Sequence, residues 1–159
     1  MNELVIESVG LGLVVSLFFS ELFGLAAGGM VVPGYLALFM WNPVKLLITL
    51  IASFITLGAV KVLSNHTLLY GRRKMVLTVL LGFLSGYAMR FLPDITIGAR
   101  VEAVEVIGFI IPGLVAYWMD RQGIIETLTM MGIASVSVRF LLVIFNGGAQ
   151  IENLAQRYF

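Results

Sequence analysis

Polar and apolar positions fall along this chain in long blocks rather than in short alternation. The first apolar stretch runs from about Leu4 to Phe23, the second from about Gly24 to Trp41 and the third from about Val44 to Leu63. The polar run SNHTLLYGRRK, Ser64 to Lys74, comes next. A fourth stretch covers about Met75 to Leu92, and PDITIGARVEAVE, Pro93 to Glu105, separates it from a short fifth, about Val106 to Met119. Asp120, Arg121, Gln122 and Gly123 predict a turn before the sixth, about Ile124 to Phe145. Roughly 20 apolar residues cross a bilayer as a helix. The pattern therefore predicts an all-α integral membrane protein of about six hydrophobic segments.

One motif recurs within this pattern. GGMVVPGYLALFM, Gly28 to Met40, returns as GFIIPGLVAYWM, Gly108 to Met119, at an offset of 79 residues. The offset matches Gly29 with Gly108, Pro33 with Pro112, Gly34 with Gly113, Ala37 with Ala116 and Met40 with Met119. Proline removes a backbone donor and glycine adds backbone freedom, so both segments read as Pro-Gly-broken helices. Freed carbonyls in hydrocarbon need protein or water around them. Broken helices at corresponding places in two halves point to a site at the repeat interface, whereas two plain packing kinks are the structural alternative. The halves are about 4–63 and 75–145 of one polytopic domain, 1–148, with a short tail, 149–159. Gly82 and Gly86 are in GxxxG spacing, which lets backbones approach closely.

Composition sharpens the class. Of 159 residues, 60% are hydrophobic and 12% charged, with a mean hydropathy of +1.02; soluble domains average about 25% charged residues. No cysteine is present, which excludes disulfides and thiol chemistry, and a single histidine, His66, excludes a multi-histidine metal site in one chain. The N-terminus carries two acids and no Lys or Arg, so the first segment reads as a retained helix rather than a signal peptide.

Charge distribution sets a topology. No acid occurs between Glu21 and Asp94, while that interval holds Lys45, Lys61, Arg72, Arg73, Lys74 and Arg90. The Arg72-Arg73-Lys74 cluster in a short loop is expected in the cytoplasm. Six crossings then put both termini outside and make the halves inverted. The alternative is four spans plus two re-entrant Pro-Gly segments, with parallel halves.

No Walker A loop, G-x-S-x-G or H-E-x-x-H motif is present. Charges at membrane depth are then the chemical candidates: Glu21, Glu105 and Arg139. Arg139 is flanked by apolar residues with Ser135 and Ser137 nearby, and needs an acid, a carbonyl or water; Glu21, Glu105 and Glu126 are the acids on offer. Its functional reading is an anion-binding residue on a polar path, and its structural reading an internal ion pair or a snorkelling side chain. Glu21 precedes a Gly-rich run, where a helix start would favour its carboxylate. Arg72, Arg73 and Lys74 suit anionic lipid, a phosphate or an acidic partner surface. Trp41 and Trp118 are expected as interfacial anchors.

Val31-Val32-Pro33-Gly34-Tyr35, Tyr70-Gly71-Arg72-Arg73-Lys74, Ile110-Ile111-Pro112-Gly113-Leu114 and Gln122-Gly123 occur in this order. Their order and spacing resemble the small multi-pass subunit of bacterial poly-γ-glutamate synthase, the PgsC/CapC family, over about Glu21 to Phe145. Members carry a basic residue shortly before the second Pro-Gly; here Glu105 stands there, with Arg100 upstream. The resemblance implies a bacterial plasma-membrane protein, not catalytic alone, that works with an ATP-dependent glutamate ligase and a further membrane-anchored subunit. ATP and Mg are then expected on the ligase, with no cofactor or metal on this chain. Broken-helix residues Gly29, Pro33, Gly34, Tyr35, Gly108, Pro112 and Gly113 would line or gate a route for the polyanionic chain. The basic loop would meet the ligase, the polymer or anionic lipid; no nucleic acid is expected, and a homo-oligomer stays open. A small inverted-repeat transporter and a purely structural scaffold are the competing readings.

Overall fold

The structure, a computed structural model, describes residues 2–40, 42–66, 71–91, 95–97, 100–102 and 106–146. Six helices account for nearly all of these: α1 (Asn2–Phe23), α2 (Val32–Phe39), α3 (Pro43–His66), α4 (Arg72–Met89), α5 (Ile111–Gln122) and α6 (Ile124–Asn146). Between α4 and α5 lies a short antiparallel ribbon of β1 (Ile95–Ile97) and β2 (Arg100–Glu102), paired Ile95 to Glu102, Thr96 to Val101 and Ile97 to Arg100. The sequence reading has only a polar loop there. Three consecutive β-branched residues, Ile95-Thr96-Ile97, favour the extended backbone instead.

The protein is a helical membrane protein. Val5–Phe23, Pro43–Ser64 and Ile124–Phe145 are long and apolar enough to cross a bilayer. Its surface is apolar where a soluble protein would be polar: Val14 is 66% exposed, Val76 69%, Ile125 74% and Phe140 65%. The buried set instead includes Ser8, Ser16, Thr49, Ser53, Thr56, Thr78, Thr127 and Ser135. Small hydroxyl residues permit close helix approach, and in lipid there is no hydrophobic gain from turning a leucine inward. Each hydroxyl must then find a partner. Thr49 donates to the Lys45 carbonyl, Ser53 to that of Thr49 and Thr56 to that of Ala52, all at 2.7 Å.

The chain forms two compact units. The first joins residues 1–43 to 122–159, and so contains α1, α2 and α6. The second, 44–121, contains α3, α4 and α5. These units are not the sequence halves, because the third helix of each half groups with the first two helices of the other.

In the first unit the chain leaves α1 at Gly24 and runs back along it. Gly34 lies against Gly12 and the Ser8 carbonyl, and Ser8 Oγ donates to the Gly34 carbonyl at 2.6 Å. α6 accompanies α2 in the same direction: Gln122 meets Ala26 and Arg139 meets Ala37. Val15, Ala27, Ala37, Ala134, Val138 and Leu142 form the core between them. In the second unit α5 runs antiparallel to α4. The Phe109 ring lies tilted against that of Phe83, Gly113 lies on Gly82, and Asp120 pairs with Lys74. Thr56 of α3 and Ser85 of α4 share a hydrogen bond of 2.8 Å.

Candidate functional site

Pro33 and Pro112 do not interrupt continuing helices. Each is the second residue of a short one, α2 of 8 residues and α5 of 12. The first four helical N–H groups lack intrahelical partners anyway, so proline there removes no bond. The break lies earlier, in residues 24–31 and 106–110, which are not helical. Gly29 (φ 125°) and Gly108 (φ 66°) adopt positive φ there, a conformation L side chains rarely take. That demand explains the fixed distance from glycine to proline in both copies. At roughly 1.5 Å per residue neither short helix spans roughly 30 Å of hydrocarbon alone.

Both prolines are less than 2% exposed, so protein rather than lipid surrounds them. The following glycines are the points of closest approach. A Cβ on Gly34 would stand 2.6 Å from the Ser8 carbonyl oxygen, and one on Gly113 would stand 2.7 Å from Val79 Cα and 3.0 Å from the Thr78 oxygen. Gly12 and Gly82 are their partners on the long helices. A second repeat therefore underlies the first: Ser8-x-x-x-Gly12 and Thr78-x-x-x-Gly82. Sequence reading identified Gly82 through its GxxxG spacing but passed over Gly12. The signal was a hydroxyl residue four positions before a glycine, at an offset of 70 rather than 79 residues, because the second copy has the longer connection.

A polar side chain holds each non-helical stretch. The Ala26 N–H donates to Gln122 Oε1 at 3.0 Å, and Gln122 Nε2 donates to the Ala26 carbonyl at 2.6 Å and to Thr127 Oγ1 at 3.1 Å. The carboxamide thus substitutes for a backbone peptide. In the second unit the Ile107 N–H donates to Thr49 Oγ1 at 2.9 Å. Gln122 is in the last turn of α5 rather than in a turn, as are Asp120 and Arg121.

Arg139 Nη1 donates to the Ala37 carbonyl at 3.1 Å. Ala37 is in the last turn of α2, where carbonyls lack intrahelical partners and the helix end is partly negative. A carbonyl, one of the partners the sequence allowed, is thus in place beside the guanidinium. Ser135 and Ser137 donate to carbonyls of their own helix, those of Met131 and Ile133. Glu21 is exposed on the last turn of α1, and Tyr35 is half-buried on α2. Glu126 folds back over Gly123 in the first turn of α6, where the helix start favours it. Glu105, Trp41 and the tail 149–159 lie outside the described residues.

The basic cluster divides. Lys74 pairs with Asp120. Arg121 Nη1 donates to Tyr117 Oη at 3.1 Å, with its guanidinium 5.9 Å from the Trp118 ring centre. Gly71, Lys74, Tyr117, Asp120 and Arg121 line an open pocket of about 330 Å³. Arg72 and Arg73 remain exposed. This pocket holds charge of both signs and donors in excess, which suits an acidic surface or a carboxylate-bearing chain. Among the described residues no three acids or histidines converge.

Comparison with known proteins adds the following. A model of the family described as Capsule biosynthesis CapC matches residues 11–128. The PGA biosynthesis protein CapC of Bacillus subtilis (strain 168) is 39% identical over 118 residues, covering 74% of this chain and 78% of that protein. The Capsule biosynthesis protein CapC of Bacillus anthracis is 34% identical over 143 residues, 85% of this chain and 93% of that protein. No solved structure matches.

Proposed function

The chain belongs to the CapC family of capsule-biosynthesis proteins, and from that premise we propose that it is the multi-pass plasma-membrane subunit of a bacterial poly-γ-glutamate synthesis and export complex. The observation that carries this reading is similarity over most of the chain to two proteins named for PGA or capsule biosynthesis. Amide formation is assigned to an ATP-dependent ligase partner, with its ATP and Mg, and a further membrane-anchored subunit completes the assembly. This chain contributes the membrane passage and the docking surface.

The topology we favour has six crossings, with the Pro-Gly segments traversing the bilayer as a non-helical stretch followed by a short helix. Supporting it, residues 106–120 follow α4 from Gly86, beside Val106, to Lys74, paired with Asp120, which is most of the length of α4. With the Arg72-Arg73-Lys74 end in the cytoplasm, the Lys74–Asp120 pocket faces the ligase. Helices broken in this way are used where a polar species must pass, and the polymer is a polyanion.

The test is deletion and complementation in the native host, with cell-bound and released poly-γ-glutamate as the readout. Deletion is expected to abolish polymer and the unaltered gene to restore it. The triple variant R72Q/R73Q/K74Q is expected to insert at normal abundance while ligase leaves the membrane fraction and polymer falls severalfold. Unchanged polymer after deletion contradicts the functional reading. A triple variant that keeps both ligase and polymer contradicts only the docking surface.

A further inference from the structure

The three cations at the start of α4 have unequal surroundings. Lys74 is held by Asp120. Arg72 and Arg73 are exposed, and among the described residues neither forms an ion pair. They stand at the head of an open groove of about 400 Å³ whose other walls are Val76, Leu77 and Leu80. Positions 72, 76 and 80 are one helical turn apart and share a face. Below them the face continues with Leu84, 60% exposed, and Tyr87, 46% exposed. Two guanidiniums thus cap a strip of exposed hydrocarbon.

This arrangement is electrostatically incomplete. A helix start is partly positive, so cations in a first turn are disfavoured there and an anion is favoured. The first turn of α4 has three cations and no acid. Asp120 answers one of them. Among the described residues no acid answers the other two, which stand at the end of a helix of about 27 Å whose outward face is apolar. A bilayer supplies an anion at that depth, covalently joined to hydrocarbon that fits the strip below.

We propose that Arg72, Arg73, Val76, Leu77 and Leu80 form a binding site for an anionic glycerophospholipid of the cytoplasmic leaflet. Its phosphodiester lies between the two guanidiniums, which suit phosphate oxygens as planar donor forks, and one acyl chain lies along the apolar walls. A glutamate polymer or a free phosphate would satisfy the arginines but leave those walls bare. The site requires only that α4 crosses the membrane with its first turn at the cytoplasmic interface; it does not depend on the poly-γ-glutamate reading.

The test uses the intact purified protein in nanodiscs of equal phosphatidylglycerol and phosphatidylcholine, with retained lipid identified by native mass spectrometry. Wild type is expected to retain phosphatidylglycerol in preference. R72Q/R73Q is expected to lower that preference about tenfold or more, since each basic residue near an anionic surface contributes severalfold. V76S/L80S is expected to weaken retention with both arginines present, and R72K/R73K to keep part of it. Should the double variant not insert, R72Q and R73Q singly are each expected to lower the preference severalfold. Lys61→Gln, at an exposed cation on α3, is expected to leave it unchanged. A well-folded R72Q/R73Q with wild-type preference overturns the proposal. So does displacement of the lipid by glycerol phosphate or by polyglutamate as effectively as by phosphatidylglycerol, because then the chain-bearing ligand is not what the groove selects. The readout is lipid mass on this subunit alone, so ligase binding and polymer yield neither rescue nor sink it.

Discussion

Alanine at Gly82 or Gly113 is expected to reduce the amount of folded protein in the membrane severalfold and to remove polymer production with it. A Cβ on Gly82 falls on the Gly113 backbone, and one on Gly113 meets Val79 Cα at 2.7 Å and the Thr78 oxygen at 3.0 Å. These obstacles are main-chain atoms, which no rotamer change can move aside. Overpacking of this kind costs about 1–3 kcal/mol, and more where helices must separate. The same reasoning gives the opposite sign elsewhere. Nothing lies within 4 Å of a Cβ on Gly10, Gly58 or Gly132, and alanine in a helix is about 0.5–1 kcal/mol better than glycine. Those three substitutions are expected to be neutral or stabilising. Membrane abundance and the melting temperature of the solubilised protein separate the two groups, and equal behaviour of Gly82→Ala and Gly58→Ala would contradict the close packing.

Gln122→Leu is expected to release the stretch 24–31 while leaving the six helices in place. Leucine matches the volume but leaves the Ala26 N–H and the Ala26 carbonyl without the partners described above, while the Thr127 hydroxyl keeps its bond to the Gly123 carbonyl at 2.7 Å. Each unmet group costs about 1–3 kcal/mol where water does not reach it, less at this half-buried position. Hydrogen exchange at the Ala26 amide is expected to accelerate about tenfold or more, which corresponds to about 1.4 kcal/mol of lost local protection. Gln122→Glu discriminates further. It keeps an acceptor for the amide but turns a second oxygen towards the Ala26 carbonyl, so it is expected to loosen the stretch as well, and more at high pH. Unaltered exchange in both variants would mean that the carboxamide is not what holds the stretch.

Sequence made the demands on single residues legible and left the pairings hidden. The Gly29–Pro33 and Gly108–Pro112 spacing is readable because a positive φ and a first-turn proline are properties of residue type. Gly82 was readable for a similar reason, since a missing Cβ marks a place where something comes close. What it meets was not readable. Lipid-facing and protein-facing positions are both apolar here, so nothing in the pattern of α3 and α6 says which helices they join. The grouping into compact units that cut across the sequence halves was therefore not readable. The same blindness affects the polar partners. Gln122 reaches a backbone 96 positions away and Arg139 one 102 positions away. Acids are conspicuous in a sequence and backbone carbonyls are not, so an acid, a carbonyl or water all stood open for Arg139, and no pattern pointed to the Ala37 carbonyl. Lys74 and Asp120 were both visible as charges, but only the antiparallel course of α5 along α4 brings them together.

The absence of cysteine makes one experiment direct, because single cysteines can be placed without altering the background. Leu25→Cys with Asn42→Cys brackets the first Pro-Gly segment, and Thr96→Cys with Arg121→Cys brackets the second. Intact cells are treated with a membrane-impermeant maleimide before and after permeabilisation. If each short helix and its preceding stretch together cross the bilayer, positions 42 and 96 label from outside while 25 and 121 label only after permeabilisation. Labelling of both members of a pair from one side would make the segments re-entrant, reduce the crossings to four and contradict the account.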